Sequence, residues 1–221
     1  MDPTAKDSLA QLDNLLAASN QSWLFGAGIS LNAGIPLMGP LTDRVFALAK
    51  DGEIVNDLKV LKYVRGQLSA DSHIEHILSQ LGDHRAIADR SKSKKVVFDG
   101  IELSVNDLDE LHQRVLTLIA EIIRWGYKPK EAKEIPEKIG TYKDPIVVVD
   151  NHLAFVSAIF NRSQAGVAER RRAVRLFTTN YDTLLEDALA LGGFSYWDGF
   201  SGGAVAHRCH RYGDEEPALC D

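Results

Sequence analysis

Ser22-Trp23-Leu24-Phe25-Gly26-Ala27-Gly28-Ile29-Ser30 is the stretch that decides how this chain folds. A short, mostly apolar run stops abruptly at a glycine, which is the pattern of a parallel strand with helices for neighbours on both faces. The loop that follows continues through Leu31-Asn32-Ala33-Gly34-Ile35-Pro36, and Gly39-Pro40 closes it before a helix resumes near residues 41–50. Upstream, Leu9, Leu12, Leu15 and Leu16 fall on one face of a helix expected over residues 7–18. The order helix, strand, glycine loop, helix predicts an α/β fold with a parallel sheet.

The same pattern returns late in the chain. Ala173-Val174-Arg175-Leu176-Phe177-Thr178-Thr179 reads as a second strand ending at Asn180, and Tyr181 to Leu191 reads as a helix stopped by Gly192-Gly193. An amphipathic segment, His152 to Phe160, precedes it. Between residues 51 and 144 the alternation disappears. Ile74, Ile77, Leu78 and Leu81 form a helical stripe, a Lys-rich loop covers Arg90 to Lys95, and Val96 to Leu103 suggests a small hairpin. Leu108, Leu111, Val115, Leu118, Ile119 and Ile122 repeat at helical period behind Asn106 as N-cap. Lys128 to Lys143 reads as an exposed connection. The expected organisation is a first part of the sheet domain over residues 1–50, a mostly helical insertion or cap over 51–145, and the rest of the sheet domain over 146–221.

With 221 residues, 45% hydrophobic and 25% charged, the composition is that of an ordinary folded chain. The formal charge of −6 argues against nucleic acid as a direct partner of the whole surface. Two cysteines, Cys209 and Cys220, are too few for a disulfide scaffold or a four-cysteine zinc site. No apolar run reaches the length of a membrane span, and Met1 to Lys6 lacks the apolar core of a secretory signal, so a reducing cytoplasm is the expected compartment.

Two stretches carry chemistry. Gly26-Ala27-Gly28, between a strand and a helix, lets a phosphate approach backbone N–H groups, although a tight structural turn explains the glycines equally simply. It is not the dehydrogenase fingerprint, because the next glycine is Gly34. Thr178-Thr179-Asn180-Tyr181-Asp182 puts short polar side chains where a strand hands over to a helix, the carboxyl edge at which ligands collect. Asn180 or Asp182 as a helix cap is the plain alternative. Asp71, His73 and His76 have metal-like spacing but read as a solvated helix face, and His207, Cys209 and His210 are no better supported. Glu169-Arg170-Arg171-Arg172 reads as a charged loop, and Phe194, Tyr196, Trp197 and Phe200 as core or subunit contact.

Gly26-Ala27-Gly28-Ile29-Ser30 with Ala33-Gly34-Ile35-Pro36 resembles the NAD-binding signature of the sirtuins. Thr178-Thr179-Asn180-Tyr181-Asp182 resembles their second signature, in the form found in bacterial sirtuin-like defence proteins, and Tyr196-Trp197-Asp198-Gly199-Phe200-Ser201 is similar to that branch as well. The resemblance implies a Rossmann-like parallel sheet with helices on both faces and a helical insertion. It implies an NAD glycohydrolase that depletes NAD in antiphage defence, with NAD as substrate. Gly26, Ala27, Gly28, Ser30, Gly34, Ile35, Pro36, Thr178 and Thr179 would contact the dinucleotide, Asn180 would hold the ribose and water, and Asp182 the nicotinamide amide.

The deacetylases of the family carry paired Cys-x-x-Cys motifs and an Asp-Phe-Arg segment after Gly-Ile-Pro; here Leu37-Met38-Gly39 follows Pro36, so no zinc is expected and protein deacylation is the weaker reading. The family's catalytic histidine lies in a Leu-His-Gly segment that this chain lacks, which suggests a sequence ending before it and leaves His210 or His207 as the nearest substitutes. A non-catalytic NAD or ADP-ribose binding or assembly module is the alternative. The resemblance also implies a homo-oligomer and a HerA-like ATPase or Argonaute-like partner, with no membrane association.

Overall fold

The computed structural model describes residues 22–51, 55–131, 135–164 and 174–197. The expected helix over residues 7–18, the arginine run at 170–172, the Asp198–Ser201 segment and the tail bearing His207, Cys209, His210 and Cys220 lie outside the described residues. The fold is mixed α/β, and its contacts divide it into two compact units, one made of residues 1–29 and 149–221, the other of residues 30–148.

In the first unit, β1 (Ser22–Phe25) pairs in parallel with β6 (Arg175–Thr178), with Trp23 beside Leu176, Leu24 beside Phe177 and Phe25 beside Thr178. Side chains alternate across a strand, so Trp23 and Phe25 share one face. Phe155, on α5 (Asp150–Gln164), meets both rings edge-on at 5.2 and 5.3 Å. Val156 on the same helix is fully buried, and Leu185, Ala188 and Leu189 of α6 (Leu184–Leu191) complete this core. On the opposite face the register partners Leu24 and Phe177 remain 76% and 54% exposed, so among the described residues helices cover one side of this two-stranded sheet. The chain leaves α6 through Gly193 at φ +73°, which sends Phe194 back to stack on Phe160 at 4.4 Å. Trp197 is exposed rather than packed.

The second unit is helical. It contains α1 (Met38–Asp51), α2 (Val55–Gln67), α3 (Ile74–Arg90), the hairpin β2 (Lys95–Phe98) with β3 (Ile101–Ser104), α4 (Val105–Trp125), and the short antiparallel pair β4 (Tyr127–Lys128) with β5 (Lys138–Ile139). Its core joins Val45, Leu61, Val64, Ile77, Leu81, Leu111 and Val115 around the fully buried Phe98. Helix α1 begins at Met38, ahead of the expected start near Leu41. The first N–H groups of a helix have no partner within it, so Pro40 fits in the first turn without loss. The N-cap of α4 is Ser104 rather than Asn106. Its hydroxyl accepts from the Asp107 N–H at 3.3 Å, while the Asp107 carboxylate takes the Ser104 N–H at 2.8 Å. That reciprocal pair satisfies two N–H groups at once, which Asn106 does not do. The hairpin turns at Asp99-Gly100, both at positive φ, the backbone that a two-residue turn between twisted strands requires.

Candidate functional site

A parallel sheet sends the loops that follow its strands out of one edge. Here β1 and β6 are neighbours, and strand spacing is about 4.8 Å. Gly26-Ala27-Gly28 and Thr179-Asn180-Tyr181-Asp182 therefore leave the sheet side by side, from the paired residues Phe25 and Thr178. The ladder continues one step into the loops, because the Thr179 N–H donates to the Phe25 carbonyl at 3.1 Å. More than 150 positions apart in sequence, the two signatures share one edge.

The first loop begins a 3-10 turn over Ala27–Ser30, closed by the Ile29 N–H on the Gly26 carbonyl at 3.2 Å. Gly26 and Gly28 are exposed and neither has positive φ. A Cβ built on either would meet nothing within 4 Å. Neither steric strain nor packing calls for glycine here, which leaves open space in front of the backbone.

The second loop is held by its own side chains. Thr178 Oγ1 accepts the Asn180 N–H at 3.0 Å, and Asp182 Oδ1 accepts the Leu184 N–H at 3.1 Å. Asp182 thus does part of the capping work at the start of α6, whose geometric N-cap, Thr183, makes no side-chain cap bond. Helix α6 begins at Leu184 rather than Tyr181 because this side-chain-stabilised turn takes up the preceding residues. Asn180 and Asp182 are both half-buried at the base of the loop, whereas Tyr181 is exposed.

Sequence reasoning missed His152. It is the only histidine among the described residues of this unit, and it lies in the first turn of α5, 1% exposed. Its Nδ1 is buried with no hydrogen-bond partner among the described residues, an arrangement that costs about 1–3 kcal/mol when nothing offsets it. Burial pushes the imidazole pKa down from its ordinary 6.5, and the Asp182 charge acts in the opposite direction. The downward shift leaves the ring neutral at pH 7. A signal was available: His152 stands four residues before Val156 on the apolar stripe that includes Val149, Leu153 and Phe160, a polar group at a core position.

The remaining NAD-signature residues belong to the other unit. Ser30, Ala33, Gly34, Ile35 and Pro36 are all buried there. The Ser30 carbonyl takes the N–H groups of Ala33 and Ile35, and the Gly34 carbonyl accepts from Tyr127 at 2.8 Å. Gly34 has φ +94°, and a Cβ on it would lie 2.9 Å from the Ile146 carbonyl oxygen. Packing alone accounts for this glycine.

The rings of His73 and His76 lie 4.1 Å apart at a tilt of 49° at the start of α3, where His76 Nδ1 accepts the His73 N–H at 3.2 Å. Among the described residues, no three His, Cys, Asp or Glu side chains are grouped to hold a metal ion. No described helix is long and apolar enough to cross a membrane. The chain matches no protein-family model and no curated protein.

Proposed function

We propose that this protein is a sirtuin-like NAD glycohydrolase, releasing nicotinamide and ADP-ribose. The observation that carries the reading is the meeting of two loops, one open and glycine-bearing, one rich in short polar side chains, at a single edge of parallel strands. The finer fold belongs to the same proposal: a Rossmann-like sheet extending the β1–β6 pair, with helices on both faces.

The reaction suits these residue types. Nicotinamide departs from a positively charged ring nitrogen and needs no proton, so no strong acid is required. The sugar passes through an oxocarbenium-like transition state, stabilised by groups that orient the ribose and hold water. In this assignment Gly26, Ala27 and Gly28 receive the pyrophosphate at close range. Asn180 orients the ribose and the attacking water, and Asp182 contacts the carboxamide of nicotinamide. Depletion of NAD would act in bacterial antiphage defence, in the cytoplasm, through a homo-oligomer with a HerA-like ATPase or Argonaute-like partner.

Nicotinamide release from NAD by the purified protein, alone and with either partner, tests the reading. Asn180→Ala is expected to lower release at least a hundredfold, an effect of about 3 kcal/mol on the barrier, with the circular dichroism spectrum unchanged. NAD or ADP-ribose binding without turnover under every condition would instead make the domain a binding module.

A further inference from the structure

We propose that the open face of the β1–β6 sheet is the seat of this chain's own N-terminal segment, the amphipathic helix expected over residues 7–18. The inference rests on the two-faced sheet of the reading above, whose second cover it names, and not on NAD cleavage. Side chains alternate across a strand, so the register partners Leu24 and Phe177 stand together on the face away from α5 and α6. They are 76% and 54% exposed. Strands of a parallel sheet are apolar on both faces because both faces are covered. Ser22-Trp23-Leu24-Phe25 has that composition: Trp23 and Phe25 meet Phe155 on one side, while Leu24 stands in solvent on the other.

The occupant follows from the chain that leads into β1. Residues 7–18 lie outside the described residues, but their sequence places Leu9, Leu12, Leu15 and Leu16 on one apolar stripe. Ser19-Asn20-Gln21 joins that stripe to Ser22, a reach of about 10 Å when fully extended. A connection so short turns the helix back along the strand it feeds. Twelve residues of helix run about 18 Å and a four-residue strand about 13 Å, so the stripe is long enough to cross Leu24 and Phe177. The face also carries Arg175, which is exposed. Asp13, four residues after Leu9 and three before Leu16, stands at the edge of the stripe and supplies the opposite charge. A second copy of the chain is the competing occupant. The short tether holds the segment at an effective concentration on the order of millimolar, above that of a free protomer in ordinary solution. Because β1 runs directly into Gly26, covering this face steadies the strand from which the glycine loop departs.

The test uses the full chain and two measurements. In the first, Leu12→Ala and Phe177→Ala are made singly and together, and unfolding in urea is followed by far-UV circular dichroism. Each single change is expected to lower the midpoint, and Leu12→Ala is expected to lower it clearly less in the Phe177→Ala chain, where the surface it covers is already cut back. In the second, Cys209→Ser and Cys220→Ser clear the background, Leu24→Cys marks the face, and Leu9→Cys, Leu12→Cys or Leu16→Cys marks the stripe. Oxidation is expected to close a disulfide within one chain, read as loss of free thiols in a protein that stays monomeric on a non-reducing gel. Additive midpoint shifts, with thiols that stay free at all three stripe positions, overturn the proposal. A disulfide between chains assigns the face to a second copy and also overturns it. NAD cleavage enters neither measurement, so a chain without turnover strikes the glycohydrolase reading alone, and a face that stays open strikes this inference alone.

Discussion

Alanine at Gly34 separates packing from ligand binding within the glycine-rich stretch. Gly34 has φ +94°, a backbone that costs an L-residue about 1–2 kcal/mol. The new Cβ would stand 2.9 Å from the Ile146 carbonyl oxygen. That oxygen cannot swing aside as a side-chain tip would, because the Ile146 N–H is bound to the Trp125 carbonyl at 2.9 Å and the Gly34 carbonyl is bound to Tyr127. Overpacking against such a neighbour costs about 1–3 kcal/mol. The stiffer unfolded chain returns about 0.4–1 kcal/mol. The balance is a loss of about 2–3 kcal/mol. Urea unfolding followed by far-UV circular dichroism should show it as a midpoint lower by about 1–1.5 M, for a slope of about 2 kcal/mol/M. Gly28→Ala is the counterpart. With open space and no positive φ, it should stay within about 0.5 kcal/mol of wild type while weakening NAD binding. A Gly34→Ala protein that unfolds at the wild-type midpoint would refute the packing account of this glycine.

Two further outcomes are expected. Ser104→Ala removes the N-cap of α4 and should cost about 1 kcal/mol by thermal melting. The Ser104 hydroxyl and N–H hold the Asp107 carboxyl below its ordinary 3.8, so the stability from this cap is present above that pH and is lost as pH falls through the folded value, a loss that Ser104→Ala should diminish. For His152 the depressed pKa means the unfolded chain binds its proton first. Stability of its unit is full above about pH 6.5 and declines as pH falls towards the folded value, which hydrogen exchange at the α5 amides should report and His152→Gln should flatten.

Much of the local structure was legible in residue order because its causes are local. Ser22–Phe25 reads as a strand from its apolar run and the glycine that stops it, and the stripes of Ile74, Ile77 and Leu81 or Leu108, Leu111 and Val115 read as helices from their spacing. Helix starts were less legible, since they turn on which side chain reaches which N–H. Ser104 with Asp107 displaced Asn106, and Asp182 at the Leu184 N–H moved the start of α6. Asp99-Gly100 carried a hairpin signal that the residue pattern alone would have placed.

The candidate site divides along the same line. The two signatures were visible as sequence, because glycine, threonine, asparagine and aspartate at a strand end are unusual in themselves. That they lie side by side depends on the pairing of β1 with β6, a contact between residues some 150 positions apart that no short-range pattern encodes. Burial likewise belongs to the tertiary structure. It gives Gly34 a packing reason to be glycine, leaves Gly26 and Gly28 in open space, and turns His152 from one residue of an amphipathic helix into a buried imidazole with a lowered pKa, because only the folded chain removes water from that ring.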